Sequence, residues 1–320
     1  MSVSIAMCTF NAAAYLAEQL ESIAAQSRPA DELVVCDDGS TDATRAIVQQ
    51  FAASHPLRVR LEANDRNLGP AANFTKAVGL CRGDLIVLAD QDDVWMPHKI
   101  ERLQAALADH PGAGFAFSDA TVVDRDRRPL GYGLWEAIRF SRRDQRRMNA
   151  GQAADVLLRR NVVTGATMAF RSSLREMLLP VAAGWVHDGW FALLIAAAAD
   201  CVAIPEPLVE YRQHAGQQIG AKRESLYEQY RRGLGPAPDR YLAIAANYAA
   251  AAARLTQFRD RLRDLGLLAT IDRKVGHYRA RARVHDRDTW RLPIVLRELT
   301  QHHYAKFSMG WKSLAQDLFL

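Results

Sequence analysis

Residues 31–54 read "DELVVCDDGSTDATRAIVQQFAAS". The first eight are a short β-branched and apolar run closing on two carboxylates. The last fourteen repeat apolar residues at helical spacing, with Ser40 or Thr41 expected as N-cap and Asp42 in the first turn. A strand passing through a charged loop straight into a helix is half of a βαβ unit. The same alternation extends on both sides. "VSIAMCTF" (3–10) reads as a strand and residues 13–26 as a helix, with Tyr15, Leu16, Leu20 and Ile23 on one face. Residues 57–64 read as a strand, 69–81 as a helix and "DLIVLADQ" (84–91) as a strand. Such alternation predicts an α/β fold with a parallel sheet, and ligands in such sheets sit beyond the carboxyl ends of the strands. Function is therefore expected at "CTFN" (8–11), "CDDGS" (36–40), "NDRNLG" (64–69) and "ADQDD" (89–93).

Farther along, 98–110 is expected to be a helix and 114–124 a strand. The Arg-rich stretch 125–150 reads as a flexible loop over the site. "VVTGATMAF" (162–170) reads as a strand, "HDGWFALLIAAAA" (187–199) as a helix and residues 201–214 as a strand pair. Beyond Gly220 the pattern is helical, with a break at Gly233–Pro238.

Composition is that of an ordinary globular chain: 320 residues, 49% hydrophobic, 24% charged. Cys8, Cys36, Cys81 and Cys201 lie far apart, and three of them sit in apolar runs, which favours buried thiols over a disulfide framework or zinc site. The start lacks the basic and long apolar regions of a signal peptide, and the apolar stretch Trp190 to Ile204 is interrupted by Asp200 and too short for a bilayer. A cytoplasmic protein, or one peripheral to the inner face of the plasma membrane, is expected. The net charge of +5 is uneven: residues 216–320 carry 19 Lys and Arg against 10 Asp and Glu. A basic tail favours an anionic membrane face or nucleic acid, or is a solvated helical surface.

Chemistry concentrates in "LADQDDVW" (88–95), where Asp90, Asp92 and Asp93 follow a buried strand. Carboxylates this close raise one another's pKa, and a hard divalent cation reverses that penalty. Asp38 is placed to accept from a nucleotide base N–H, and Phe10 to lie against a flat base; each also fits an ordinary loop or core-edge role.

The succession "CTFN", "CDDGSTD", "NLGPAANF", "LADQDDVW" resembles the family 2 glycosyltransferases, inverting enzymes of the GT-A fold, over roughly residues 1–215. The resemblance implies a Rossmann-like mixed sheet flanked by helices. Residues 1–220 would form the catalytic domain, with a nucleotide-binding half (1–120) and an acceptor-binding half (121–220), and 221–320 a basic helical extension. It implies nucleotide-sugar contacts from Thr9, Phe10, Asn11, Glu18, Asp38, Asn67, Gly69, Asn73, Asp90, Gln91 and Arg212. Mg²⁺ or Mn²⁺ would be held among Asp90, Asp92, Asp93 and His214, with two of the three aspartates facing the ion.

"WVHDGWF" (185–191) resembles the family's acid-Asp motif, making Asp188 the general base, although His187 stands where Glu is common. "VEYRQHAGQQIG" (209–220) and "RRNVVTGATMAFR" (159–171) resemble the rhamnosyltransferase-like branch. The second of these brings Thr164 and Gly165 near sugar or acceptor; Trp185 and Trp190 flank the base, where aromatic faces suit sugar C–H surfaces or else pack in the core, and the role of His187 beside them stays open. The implied donor is a nucleoside-diphosphate sugar such as dTDP-L-rhamnose, and the acceptor a glycan or lipid-linked hydroxyl in bacterial surface polysaccharide synthesis. Nucleic-acid binding by the tail is the alternative from another class, disfavoured because the tail carries no nucleic-acid motif. A nucleotidyltransferase ranks last, because "CTFNAAAYL" lacks a Gly-rich basic signature.

Overall fold

A computed structural model describes residues 1–214, 238–286 and 289–319. Its described strands form one sheet in the order β3-β2-β1-β4-β8-β6-β9-β5. These are β1 (Val3–Thr9), β2 (Glu32–Asp37), β3 (Val59–Ala63), β4 (Leu85–Ala89), β5 (Val94–Trp95), β6 (Ala113–Val123), β8 (Met168–Arg171) and β9 (Asp200–Arg212). A short β7 (Pro129–Gly133) pairs with β6. The alternation in the first hundred residues yields parallel pairing of β1 with β2 and β4, and of β2 with β3. The sheet as a whole is mixed, because β8 enters antiparallel between β4 and β6 and β5 pairs antiparallel with β9.

Period-two alternation divides the core between the two faces. Val3, Ile5 and Met7 of β1, Leu33 and Val35 of β2, and Leu85 and Val87 of β4 face one core. That core is closed by α1 (Leu16–Ala24), α2 (Thr44–Ser54) and α4 (Lys99–Asp109). Ala6, Val34, Cys36, Ile86 and Leu88 face the other core, closed by α3 (Pro70–Leu80), α7 (Ala153–Arg159), α8 (Arg175–Leu178) and α9 (His187–Ala198). Covering both faces explains why these strands are apolar throughout. The α9 helix is apolar all round for the same reason: it lies between the sheet and the C-terminal helices. Of those, α10 (Pro238–Gln257) and α11 (Gly266–Val284) contribute Ala245, Ala251, Leu255, Ile271 and Val275 to the same core. The chain ends in α12 (Arg291–Thr300), α13 (His303–Phe307) and α14 (Trp311–Phe319). The boundary expected at residue 220, and all but the last residue of the break expected at Gly233–Pro238, lie outside the described residues.

Several expectations are corrected. Residues 125–150 are not a flexible loop: they hold β7, α5 (Leu134–Ala137) and α6 (Arg142–Arg147). Among their arginines, Leu134, Trp135, Phe140 and Met148 are buried, with the Trp135 and Phe140 rings edge-on at 4.9 Å. In 162–170 only Met168 onward is strand, since Gly165–Thr167 forms a tight turn closed by Thr167 Oγ1 donating to the Thr164 carbonyl at 2.9 Å. Residues 201–214 are not a strand pair. They belong mostly to one long strand, whose register with β6 shifts between Ile204 and Pro207, where the prolines cannot donate ladder hydrogen bonds. The α2 helix starts at Thr44 with Ala43 as N-cap, rather than after Ser40 or Thr41, and Asp42 lies before it instead of in its first turn, accepting from the Thr44 N–H at 3.0 Å. Tyr15 precedes α1 instead of facing the core; its ring meets His214 at 4.7 Å between centroids. Cys36, Cys81 and Cys201 are buried and Cys8 half-buried.

The close seating of α9 on the sheet depends on Gly114. A Cβ there would lie 2.5 Å from Ile195 Cγ2 and 2.8 Å from Ala199 Cβ. Gly114→Val is therefore expected to destabilise the fold by ~1–3 kcal/mol in denaturant unfolding. An unchanged midpoint would show that α9 can move away freely.

Candidate active site

A cleft of about 390 Å³ opens at the carboxyl ends of β1, β2 and β4 and reaches the start of α9. Four loops build it. From the end of β1 come Thr9 and Phe10, from the end of β2 Asp38, from the approach to α3 Asn67 and from α3 itself Asn73, and from the loop after β4 Asp90, Gln91 and Asp92. The far wall holds Thr164, Gly165, His187 and Asp188. Residues more than a hundred positions apart thus share one space.

The Asp38 side is rigid. One carboxylate oxygen accepts from the Leu68 N–H (2.8 Å) and Asn64 Nδ2 (2.9 Å), the other from the Gly69 N–H (2.9 Å). Gly69 has φ +82° and does not line the cleft; its role is to turn the chain so that its N–H meets Asp38. Asn73 donates to the Cys36 carbonyl at 2.7 Å, fixing α3 against β2. Asn11 also stands outside the cleft: its side chain accepts from the Thr41 N–H at 2.9 Å and braces the first two loops together. Gln91 joins the first and fourth loops, accepting from the Phe10 N–H at 2.6 Å. Phe10 itself is 40% exposed.

The acidic loop separates its three carboxylates. Asp90 and Asp92 line the cleft, whereas Asp93 is buried behind it, accepting from the Arg212 N–H at 3.0 Å. Burial, then Asp92 and Asp188, push Asp90 up to about 7. Burial, then Asp92 and Asp90, raise Asp93 as well. His214 Nε2 lies 2.8 Å from Asp92 Oδ2, at the edge of the loop. Arg212 is 1% exposed and does not line the cleft; its side chain donates to the Asp92 and Arg125 carbonyls and to Glu18 at 2.6 Å. Glu18, expected at the nucleotide, instead meets Arg212 behind the loop.

Asp188 is held by three donors: the Gly165 N–H (3.2 Å), Asn161 Nδ2 (3.1 Å) and the Gly189 N–H. Burial still pushes it up to about 6 against those hydrogen bonds. His187, next to it, packs against the cleft wall. Its ring stacks on Phe74 at 3.8 Å, and both its nitrogens are buried without a partner among the described residues. Gly165 makes room for it, since a Cβ there would stand 2.7 Å from His187 Nε2.

Two further expected residues lie elsewhere. Trp190 is 1% exposed and donates to the Leu178 carbonyl at 2.7 Å, so it is part of the core. Trp185 faces a neighbouring cavity and donates to the Asn247 carbonyl at 2.8 Å. Conversely, sequence reading passed over Asn161, which holds Asp188, and Lys99. The Lys99 ammonium is buried behind the acidic loop, 2.6 Å from the Ala166 carbonyl and 3.4 Å above the Trp95 ring. Burial lowers its pKa, against the pull of Asp93 and Asp90. Its only sequence signal was a lysine at the first turn of an amphipathic helix, where the charge would ordinarily face solvent.

With this geometry in view, residues 4–176 match the model of the family described as "Glycosyl transferase family 2". The chain belongs to that family. Among curated relatives it is 28% identical over 226 residues to the uncharacterized protein Rv1520 of Mycobacterium tuberculosis, covering 67% of this chain and 59% of that protein. It is 38% identical over 128 residues to the succinoglycan biosynthesis protein ExoO of Rhizobium meliloti, covering 40% of this chain and 36% of that one. The chain thus spans less than two thirds of either relative. Among solved structures it resembles S. aureus TarS 1-349 in complex with UDP-GlcNAc, with TM-score 0.57, 17% identity, and 99% of this chain and 89% of that one covered. That likeness establishes the GT-A-like fold.

Burial pushes the His187 imidazole down to about 3. It is expected to stay neutral from pH 8 down to about 4 in a histidine NMR titration; a midpoint near the ordinary ~6.5 would show that the ring is solvated.

Proposed function

We propose that the protein is an inverting glycosyltransferase that moves a sugar from a nucleoside diphosphate to an acceptor hydroxyl, with Asp188 as general base. The observation that carries this reading is the facing of two carboxylate sets across one cleft: Asp90 and Asp92 at the end of β4, and Asp188 at the start of α9. Thr9, Phe10, Asp38, Asn67 and Asn73 form the side suited to a nucleoside.

Asp90 and Asp92 are the pair that would hold a divalent cation, Mg²⁺ or Mn²⁺, with His214 beside Asp92; Asp93 supports the loop from behind. The fit is chemical: half-buried carboxylate oxygens crowd together with too little counter-charge, in keeping with the raised pKa of Asp90. When bound, the cation would offset the charge that develops on the departing diphosphate.

The residues of the chain account for the rest of the step. The acceptor oxygen forms a bond to the anomeric carbon as the bond from that carbon to the diphosphate oxygen breaks. The acceptor proton passes to Asp188, and the electron pair leaves with the nucleoside diphosphate. Attack from the Asp188 side, opposite the leaving group, inverts the anomeric centre. A carboxylate raised to about 6 is ionised at neutral pH and still basic enough to receive that proton. Gly165, Asn161 and Gly189 orient it, and His187, neutral and walled in by Phe74, closes the site to water on that side.

The "RRNVVTGATMAFR" and "VEYRQHAGQQIG" resemblances favour dTDP-L-rhamnose as donor. The family membership and the ExoO likeness support an acceptor in polysaccharide synthesis, glycan or lipid-linked. A peripheral membrane position is supported by the last helices, which are inside out. Glu298 and Asp317 are buried, while Leu296 is 50%, Trp290 77%, Trp311 74% and Phe319 81% exposed. Trp and Leu on a basic surface suit an anionic bilayer interface. No helix among the described residues is long and apolar enough to cross a membrane.

Asp188→Asn is expected to retain nucleotide binding while transfer falls by ~10²–10⁴-fold, and wild-type kcat/KM should decline below about pH 6. Unchanged turnover would overturn the base assignment. In a thermal-shift panel of uridine, thymidine and guanosine diphosphates and their sugars, stabilisation should weaken in excess chelator; equal shifts would remove the cation from the reading. Sedimentation with vesicles should show binding to phosphatidylglycerol but not phosphatidylcholine, lost on Trp311→Ser with Phe319→Ser. Equal recovery with both lipids, or with the doubly substituted chain, would rule out this surface.

A further inference from the structure

Beside the cleft lies a second cavity, of about 490 Å³, between the start of α9 and the C-terminal helices. Asn161 and Val186 line both spaces, and Asn161 is one hydrogen bond, 3.1 Å, from Asp188. The two spaces therefore meet beside the proposed base, on the side away from the nucleoside loops.

The charge of this cavity is one-sided. Arg159, Arg160, Arg240, Lys274 and Arg281 line it, and among the described residues no Asp or Glu does. Two of these cations are answered from behind. Arg281 pairs with Asp317 at 2.8 Å, and Arg160 lies 3.9 Å from Asp144 and donates to the Ile138 and Arg139 carbonyls. Arg159, Arg240 and Lys274 have no carboxylate partner among the described residues.

Lys274 is the telling case. It is 1% exposed, its ammonium reaches only the Leu158 and Phe307 carbonyls, and it sits 3.8 Å above the Tyr248 ring. A buried ammonium without a counter-ion is costly. Burial pushes it down to about 7, so an anion beside it would restore its full charge. Aromatic faces share the same wall. Trp185 and Tyr248 meet edge-on at 5.1 Å, a surface suited to the C–H face of a sugar.

We propose that this cavity receives the acceptor, and that the acceptor is an anionic glycan whose phosphate or carboxylate groups lie against Arg159, Arg240 and Lys274 while its hydroxyl reaches Asp188. This rests on the glycosyltransferase reading above and adds the class of acceptor. Sugar stacking on Trp185 sets the approach, and the cations select charge. Arginine recognises both phosphate and carboxylate, so the structure names the shared anionic chemistry.

The test is calorimetric titration of the full chain with three oligomers of similar length: glycerol phosphate, galacturonate and neutral maltohexaose. At least one anionic oligomer should bind at least ~10-fold more tightly than maltohexaose at low salt, with the preference shrinking at high salt. Which anion wins separates phosphate-bearing from uronate acceptors. Arg159 and Arg240 are exposed, so Arg159→Gln and Arg240→Gln leave the fold intact, and each should weaken anion binding ~3–10-fold. Equal binding of all three oligomers, no binding of any, or unaltered affinity in both variants would overturn the proposal. Nucleoside diphosphate thermal shifts on the same samples separate the two readings. Nucleotide stabilisation without an anion preference defeats this inference alone; no nucleotide stabilisation defeats the glycosyltransferase reading itself.

Discussion

The site hangs on one buried guanidinium. Arg212, at the end of β9, donates its backbone N–H to Asp93 and its side chain to Asp92, Arg125 and Glu18. Through it, the acidic loop after β4, the start of α1 and the turn after β6 are tied at one point. Burying a cation this far from water is costly unless its donors are met. These bonds hold the loop with Asp93 turned in and Asp90 and Asp92 turned out. Lys99 balances the same loop from the other side, over the Trp95 ring.

A parallel arrangement of strands brings charged loop after charged loop to one edge, where each carboxylate raises the next. Asp90 records this, raised by burial, Asp92 and Asp188 together. Such an edge is unfavourable by itself and suits ligands that bring compensating charge. The second cavity is its mirror: arginines and a buried lysine with few carboxylates to meet them. The protein thus places a carboxylate-rich space next to a cation-rich one, joined at Asn161. Asp188 stands at the junction of the two.

The strands and helices of the first 110 residues were legible because both periodicities are strong there. Uninterrupted apolar runs marked strands covered on both faces, and the helices carried a single apolar stripe. Reading failed where local pattern and tertiary context disagreed. The arginines of 125–150 hid Trp135 and Phe140, which pack on Phe117 in the core. For Trp190 local pattern left sugar contact and core packing both open, and only the packing of α9 puts it in the interior. Glu18 was read as a nucleotide contact, yet it meets Arg212, a partner 194 residues away that no local pattern reveals. Lys99 and Asn161 lacked any local signal for the same reason.

By itself, the sequence determined the alternation of strands and helices, and with it the edge of the sheet where the carboxylates gather. It did so because strand and helix periods, and the turns between them, are local properties of the chain. Only the tertiary structure decided which carboxylates face the cleft, because the side each one takes is set by distant partners: Arg212 for Asp93, Asn161 and Gly165 for Asp188. The charge of the second cavity likewise exists only once α7, α10 and α11 are packed together. Burial and counter-charge are properties of that packing, and no stretch of sequence carries them alone.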